Sequence, residues 1–346
     1  MKYDITIVGD GLYGLLISYF SSLAGLRVRL IGKKKNQQYS ASYRSEAFSH
    51  QLGEASNFEI EESKNFYEKL LKESVNPFPV YTYIHSDSFL KEISKRHPFK
   101  SNQGNLTQNS AGLGYKFNAK EILAKLEEKL KATEIDWVNS DEIETNSTTR
   151  KKPNELSNVF KPFDDSLKVV YALGPWSYHN SESIKIKKIL VFNISLEDEE
   201  FASGLHVFSD KDCFLFSENT NSGIISVNTK QYEDSINVET DFLEISEVEK
   251  KLVNQIIKEN FNLKVNSFES IYLRCIGYDL YSLNTNNNSN IPMRNHENGK
   301  NKFYLPPMNG QGFKNAPTNC LKFLSEIFKF TELERYFREI QLSVQY

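Results

Sequence analysis

The sequence predicts an α/β protein, α+β overall, in which a parallel sheet carries an inserted and mainly antiparallel sheet. Three observations lead to this prediction. The chain opens on a strand, a glycine turn, a helix and a second strand; another apolar strand runs into a glycine turn at residues 167–177; and residues 185–229 alternate between apolar and polar side chains. With 346 residues the chain has room for one large domain or two interwoven ones.

The predicted βαβ unit lies in the first 32 residues. Its first strand, Tyr3–Val8, is apolar enough to be buried on both faces, and Gly9, Gly11 and Gly14 follow it as GxGxxG. Glycines at these positions allow a sharp turn, the approach of a pyrophosphate and close packing of the helix on the sheet, so the unit is typical of dinucleotide-binding folds. A glycine turn in some other α/β protein is the alternative.

Two residues depart from the usual nucleotide site. The acidic residue that ends the second strand in such sites, and holds the adenosine ribose hydroxyls, would fall at Gly32, and Lys33 follows it. Asp10 lies inside the phosphate turn, where its carboxylate opposes an anion unless the side chain turns outward or is paired. Together the two departures predict an unusual grip on the nucleotide.

Composition and charge argue against several classes of protein. The formal net charge of -3, from 42 basic and 45 acidic residues, gives no argument for a nucleic acid or an anionic membrane as partner. Three scattered cysteines are too few for a disulfide framework or a zinc site, so a reducing cytoplasm is expected. No stretch approaches the roughly 18 apolar residues of a membrane span, and Asp4 and Asp10 interrupt what would otherwise resemble a signal peptide.

Periodicity predicts the remaining elements of the chain. Helices are expected over residues 59–71, 117–130, 247–260 and 316–330, and strands over 27–31, 80–84, 135–138 and 270–280. Asn118 is a candidate N-cap and Gly25 a candidate C-cap. In the helix over 247–260, the residues predicted to face inward are Val248, Leu252, Ile256 and Ile257.

Three separated motifs resemble those of the D-amino acid oxidase superfamily of flavoproteins, in a pattern like that of monomeric sarcosine oxidase and glycine oxidase. They are GDGLYG at residues 9–14, VVYALGPWS at 169–177 and NGQGFKNAP at 309–317. Many flavin and nicotinamide enzymes share the first motif, so the other two carry the discrimination. The resemblance implies a Rossmann-like FAD-binding domain of residues 1–60, 110–180 and 271–346. A substrate-binding domain of residues 61–109 and 181–270 is inserted into it.

The resemblance also assigns residues to the cofactor FAD. The glycine turn would cradle the pyrophosphate, Ile143 would lie against the adenine, the second motif would line the middle of the cofactor, and the third would face the flavin ring, where backbone N–H groups stabilise negative charge. The residues assigned in this way are Gly9, Asp10, Gly11, Leu12, Tyr13, Gly14, Gly32, Lys33, Arg44, Ile143, Ala172, Leu173, Gly174, Trp176, Cys275, Gly310, Gln311, Gly312, Phe313 and Lys314.

Two cations are the candidate catalytic groups. Lys314 matches a family lysine that binds the substrate carboxylate, with an exposed lysine at the head of a helix as the alternative. Arg44 lies in the loop from which relatives direct an arginine to the flavin or the substrate. Cys275 matches a segment in which sarcosine oxidase carries a cysteine bonded to flavin, with a small apolar strand residue as the alternative. The six histidines stand in no motif, and none is assigned a role.

The activity that the resemblance implies is oxidation of a small amine or amino acid at its C–N bond, by hydride transfer to flavin. Oxygen or an unknown electron carrier would be the acceptor. Ile225 aligns with a lysine that helps oxygen react in relatives, so slow oxygen reaction, another acceptor and lost turnover all stay open. The alternatives are an FAD-linked hydroxy-acid dehydrogenase or tailoring oxidase, and a non-catalytic binding protein. A nicotinamide enzyme would leave the two later motifs unexplained.

Overall fold

A computed structural model of the chain describes residues 2–32, 41–50, 57–83, 108–139, 165–174, 184–196, 203–208, 213–219, 222–233, 246–260, 263–277, 293–295, 302–305 and 312–328. The helices in this part of the chain are α1 (Leu12–Leu23), α2 (Ala41–Arg44), α3 (Asn57–Leu71), α4 (Ala119–Lys131), α5 (Glu247–Asn260) and α6 (Gly312–Phe328). The strands are β1 (Tyr3–Val8), β2 (Val28–Gly32), β3 (Phe48–His50), β4 (Phe78–Tyr83), β5 (Gln108–Lys116), β6 (Asp136–Asn139), β7 (Ser166–Tyr171), β8 (Ile184–Leu196), β9 (Gly204–Phe208), β10 (Cys213–Asn219), β11 (Ser222–Glu233), β12 (Leu263–Gly277), β13 (Met293–Asn295) and β14 (Lys302–Tyr304).

The described strands form two sheets, as the sequence predicts. The first has the order β13-β14-β7-β1-β2-β6 and is parallel except at the β13–β14 pair. The second has the order β12-β8-β11-β10-β9-β4-β5-β3 and is antiparallel except where β4 pairs with β9. The predicted α/β class, with a parallel and a mainly antiparallel sheet, is therefore confirmed. The division into domains stays a prediction; β3, from the segment 1–60, belongs to the second sheet.

Strand β1 is buried on both faces, as its composition predicts. Ile5 and Ile7 pack in a core shared with residues of α1, α3, α4 and α6. On the opposite face, Val8 packs with Ile31 and Val169 of the neighbouring strands. The strand that leads into the glycine turn is thus held by apolar contacts on both sides.

Aromatic side chains tie α6 to this core. The ring of Tyr67 in α3 lies 4.9 Å from the ring of Phe117 and 6.1 Å from that of Phe313, measured between centroids. Aromatic pairs at such separations add to the free energy gained by burying their surface. The first turn of α6 is thereby fixed against α3 and the residues before α4.

Two predicted caps are found close to their expected positions. Asn118 precedes α4, and its Oδ1 accepts from Glu121 N–H at 3.2 Å, so the N-cap is confirmed. At the end of α1 the C-cap is Ala24, and Gly25 follows it with a left-handed φ of +74°. This is the position directly after the cap, where glycine is most favoured.

Helix α6 begins four residues before the predicted start at residue 316. The prediction placed Pro317 in the first turn, where a missing N–H costs nothing, but Pro317 lies inside the helix. Burial of Phe313, Lys314 and Ala316 explains the difference, because a helical backbone directs these first-turn side chains into the core.

The inward face of α5 was predicted wrongly at Val248, which is 66% exposed, whereas Val253 is buried. A capping box sets the rotation of the helix. Ser246 Oγ accepts from Glu249 N–H at 3.2 Å, and Glu249 Oε2 accepts from Ser246 N–H at 2.8 Å. These two bonds turn Glu249, and not Val248, toward the body of the protein. None of the described helices is long and apolar enough to cross a membrane.

The two glycines that flank α1 yield a test of the fold. A Cβ atom on Gly14 would overlap the backbone carbonyl of Gly9, which cannot move aside, whereas one on Gly25 would meet nothing within 4 Å. Gly14→Ala is expected to lower the free energy of unfolding by about 3 kcal/mol or more. Gly25→Ala should cost about 1 kcal/mol through its left-handed φ alone. Urea unfolding of the cofactor-free protein measures both, and equal losses would contradict the close packing at Gly14.

Candidate functional site

The glycine turn of residues 9–11 lies where the carboxyl ends of β1, β2 and β7 meet. Gly9 has a left-handed φ of +113°, its N–H donates to Ile31 O at 2.8 Å, and Ala172 N–H donates to Val8 O at 2.8 Å. A Cβ atom on Gly9 would stand 2.9 Å from the carbonyl carbon of Ala172, closer than real Cβ atoms approach. The first and second motifs are therefore in direct backbone contact.

Gly11 provides no side-chain cap at the N-terminus of α1. It is the N-cap residue, with an extended backbone and no side chain to bond the helix N–H groups, and the first turn holds no acidic residue. Leu12 N–H donates to Ser42 Oγ at 3.2 Å. The helix dipole places a partial positive charge at this half-buried turn, which suits a phosphate group.

The side chain of Asp10 points along the end of β2. A Cβ atom built on Gly32, the last residue of β2, would lie less than 3.0 Å from Asp10 Cβ, Cγ and Oδ2. The carboxyl group therefore fills the space that a side chain at position 32 would need. The two departures from the usual nucleotide site are in contact with one another.

The second motif continues past β7 at the same edge of the sheet. Ala172 is buried, and Leu173 packs against the cluster of Val8, Ile31 and Tyr171. Gly174 is exposed and has a left-handed φ of +54°. A glycine here turns the chain away from the strand and leaves the turn open on its outer side.

Lys314 is buried beside a histidine, and the alternative of an exposed lysine is wrong. The residue is 4% exposed in the first turn of α6, and its Nζ lies 3.4 Å from Nδ1 of His50, which ends β3 and is 8% exposed. An ammonium at Nζ would have only donors and would require Nδ1 to accept from a neutral imidazole. Two positive charges at this separation would repel strongly in a buried site. The pair therefore carries at most one positive charge.

The first turns of α1 and α6 touch each other. Tyr13 Oη donates to Asn315 Oδ1 and accepts from Asn319 Nδ2, each at 3.4 Å. Burial raises the pKa of the Tyr13 hydroxyl and of the Cys320 thiol well above their usual ranges, so both stay protonated. Tyr13 thus directs its side chain to α6, and Phe313 directs its own into the core, which leaves only their backbone groups for a ligand.

Of the other predicted site residues, some lie in the described part of the chain and some lie outside it. Arg44 ends α2, and Ala47 then adopts a left-handed φ of +48° that turns the chain into β3 and toward His50. Cys275 lies in β12, opposite Ile186 of β8. The remaining predicted residues lie outside the described part of the chain; these are Lys33, Ile143, Trp176, Gly310 and Gln311.

His50 is a neighbour of Lys314 that the sequence did not reveal. It belongs to no motif and ends a three-residue strand, and 264 positions separate it from Lys314. Only the pairing of β3 with the second sheet, and the packing of α6 against β3, bring the two side chains together. No signal in a single sequence marks such a contact.

No protein-family model matches the sequence, and no curated protein matches it either. Solved structures do match. Glycine oxidase from Geobacillus kaustophilus superposes with a TM-score of 0.63 at 12% identity, covering 94% of this chain and 95% of that chain. For fructosamine oxidase from Aspergillus fumigatus the TM-score is 0.64 at 13% identity, with 95% and 87% covered. For glycerol-3-phosphate dehydrogenase from Bacillus halodurans, complexed with FAD, it is 0.59 at 12% identity, with 95% and 64% covered.

The chain has the glycine oxidase fold. The resemblance predicted from the three motifs is thereby confirmed for the fold, across nearly the whole chain. Identities this low leave cofactor, substrate and reaction to be argued from the residues of this chain.

The burial of Lys314 allows a test of whether this lysine stabilises the fold. A buried lysine costs desolvation free energy, so its replacement by methionine, which keeps most of the chain length, is expected to leave the free energy of unfolding within about 1 kcal/mol or to raise it. Lys322→Met is the control, since Lys322 is 57% exposed and pairs with Glu59 at 2.9 Å; its expected change is below about 0.5 kcal/mol. Urea unfolding of the cofactor-free variants measures both changes in the free energy of unfolding. A loss of several kcal/mol for Lys314→Met would make the lysine a structural residue.

Proposed function

We propose that the protein is an FAD-dependent oxidoreductase that oxidises an amine or amino acid at its C–N bond by hydride transfer to flavin. The observation that carries this proposal is the contact between two helix N-termini, Tyr13 of α1 with Asn315 of α6. One of these helices starts at an open glycine turn, and the other holds a buried lysine in its first turn. A phosphate site and an anion site therefore adjoin each other.

The glycine turn fits the pyrophosphate of FAD. Gly9 and Gly14 occupy positions where a Cβ atom would strike backbone, and Gly11 presents only main chain to a ligand. The half-buried turn lies at the carboxyl edge of a parallel sheet, which is where nucleotides bind in open α/β folds. A structural neighbour from Bacillus halodurans was crystallised with FAD. When bound, FAD would supply the hydride acceptor.

Lys314 and His50 suit the anionic end of a substrate. With Lys314 protonated the pair holds one positive charge, and the dipole at the start of α6 adds to the positive potential. Burial and the dipole each raise the free energy of this ammonium, because burial removes its hydration and the positive end of the dipole repels it. A carboxylate beside Nζ would offset both costs. We propose that Lys314 binds the substrate carboxylate and that Nδ1 of His50 orients the ammonium group of Lys314.

The same site would hold the carboxylate of a hydroxy acid. An FAD-linked hydroxy-acid dehydrogenase is therefore the second candidate. Ile225, which aligns with the lysine that promotes oxygen reaction in relatives, is fully buried in β11 between Leu215 and Phe192 of the adjacent strands. An apolar side chain gives no positive charge to stabilise reduced oxygen, so an acceptor other than oxygen is expected for either substrate class.

The cofactor is tested by the visible spectrum of the purified protein before and after acid precipitation. We expect flavin absorption in the native protein, and release of the colour into the supernatant after precipitation. Colour that stays with the pellet, and is lost from the pellet of Cys275→Ser, would assign Cys275 as a covalent attachment site. A colourless protein that FAD cannot reconstitute would contradict the proposed function and favour a non-catalytic binding protein.

The role of Lys314 is tested by anaerobic reduction of the flavin, which does not depend on the natural acceptor. Amino acids, their decarboxylated amines and the matching hydroxy acids are compared as reductants. Lys314→Met is expected to weaken binding of carboxylated substrates by about 10- to 100-fold, the loss of one charged hydrogen bond. Flavin content and reduction by the decarboxylated amine should not change.

Two further results bear on the same experiment. Lys322→Met is the control and should match the unaltered protein with every reductant. Equal losses of flavin and of carboxylate binding in Lys314→Met would argue that the lysine holds the cofactor site together instead of the substrate. Reduction by hydroxy acids but not by amino acids would replace the first candidate with the second.

A further inference from the structure

Asp10 and Gly32 form a complementary pair at the end of β2. The hydrogen bond from Gly9 N–H to Ile31 O, 2.8 Å long, fixes the glycine turn against this strand end. The Asp10 side chain then lies in the space that any side chain at position 32 would occupy. A glycine at position 32 is therefore a condition for the observed position of the carboxylate.

The end of the second strand is the place from which nucleotide-binding folds present an acid to the adenosine ribose. In this chain no Asp or Glu occurs from position 32 to position 45, so the usual source of that acid is missing. Asp10 supplies a carboxyl group at the same strand end, from the turn instead of from the strand. A carboxylate accepts hydrogen bonds and donates none, which matches the two adjacent hydroxyls of a ribose.

We propose that Asp10 binds the adenosine ribose hydroxyls of FAD and replaces the acid that position 32 lacks. The inference rests on the proposed function, since it takes FAD to be the ligand of the glycine turn. It also eases the conflict between an acid and the pyrophosphate, because the carboxyl group lies against the end of β2.

The two positions are coupled, and this coupling makes the proposal specific. A glutamate at position 32 would collide with Asp10 and displace its carboxylate. In the double variant, where Asp10 is replaced by glycine, the same glutamate has room and restores an acid at the strand end. Asp10→Gly and Gly32→Glu should each weaken FAD binding, whereas Asp10→Gly with Gly32→Glu should recover most of it.

The experiment is titration of the cofactor-free full chain with FAD, and with an FAD analogue whose adenosine ribose lacks both hydroxyls, followed by flavin fluorescence. The unaltered protein is expected to bind FAD about 10- to 100-fold more tightly than the analogue. Asp10→Ala should lose this preference by weakening FAD alone. Asp4→Ala is the control, because Asp4 pairs with Arg27 at 2.8 Å near the start of β1 and should leave both affinities unchanged.

Each outcome decides between the roles of Asp10. Equal weakening of FAD and of the analogue by Asp10→Ala would make Asp10 a structural residue of the turn and overturn the proposal, while the proposed function would stand. An unaltered protein that binds FAD without preferring it to the analogue would overturn the proposal in the same way. An unaltered protein that binds neither ligand would overturn the proposed function, and this inference with it.

Discussion

At Gly9 and Gly14 the glycine turn and the first turn of α1 pass so close to other main chain that no side chain fits. A Cβ atom on Gly9 would strike the carbonyl group of Ala172, and one on Gly14 would strike that of Gly9. Both obstacles belong to the main chain, which cannot rotate aside as a side chain would. The direction of α1 is therefore set by the parallel sheet. Because Tyr13 contacts Asn315, that direction also sets where α6 begins. The phosphate turn and the buried lysine thus depend on one close backbone approach.

The convergence of the two helices explains why a costly side chain persists in the core. Lys314 is buried at the positive end of α6, with its Nζ 3.4 Å from Nδ1 of His50. Burial and the helix dipole each make an ammonium at this place less stable than it would be in water. An anion bound at Nζ would offset both effects, so the position is suited to a ligand that carries its own negative charge.

Local patterns were sufficient for the parts of the fold that local physics determines. The apolar composition of β1, the cap at Asn118 and the 3.6-residue period of α4 were all readable from the sequence, because each depends on neighbours within one turn or strand. The start of α6 was not readable, since Pro317 marks a first turn by local rules and the burial of Phe313 overrides them. The contact of His50 with Lys314 could not be predicted from the sequence, for a stronger reason. It depends on the pairing of β3 with a sheet assembled from distant segments, and nothing near either residue encodes it.

Gly32 and Asp10 both depart from the usual nucleotide site in the sequence, and the fold brings the two residues into contact. Taken separately, the missing acid at the end of β2 and the extra acid in the phosphate turn both argue against a bound nucleotide, and both favour a fold that has lost its cofactor. Here the carboxyl group of Asp10 fills the volume that the absence of a side chain at Gly32 leaves open. A glycine at position 32 alone would leave a gap, and a side chain at position 32 would collide with Asp10 in its present place. Only the combination puts an acid at the strand end without a steric clash, which is the arrangement that the proposed ribose contact needs.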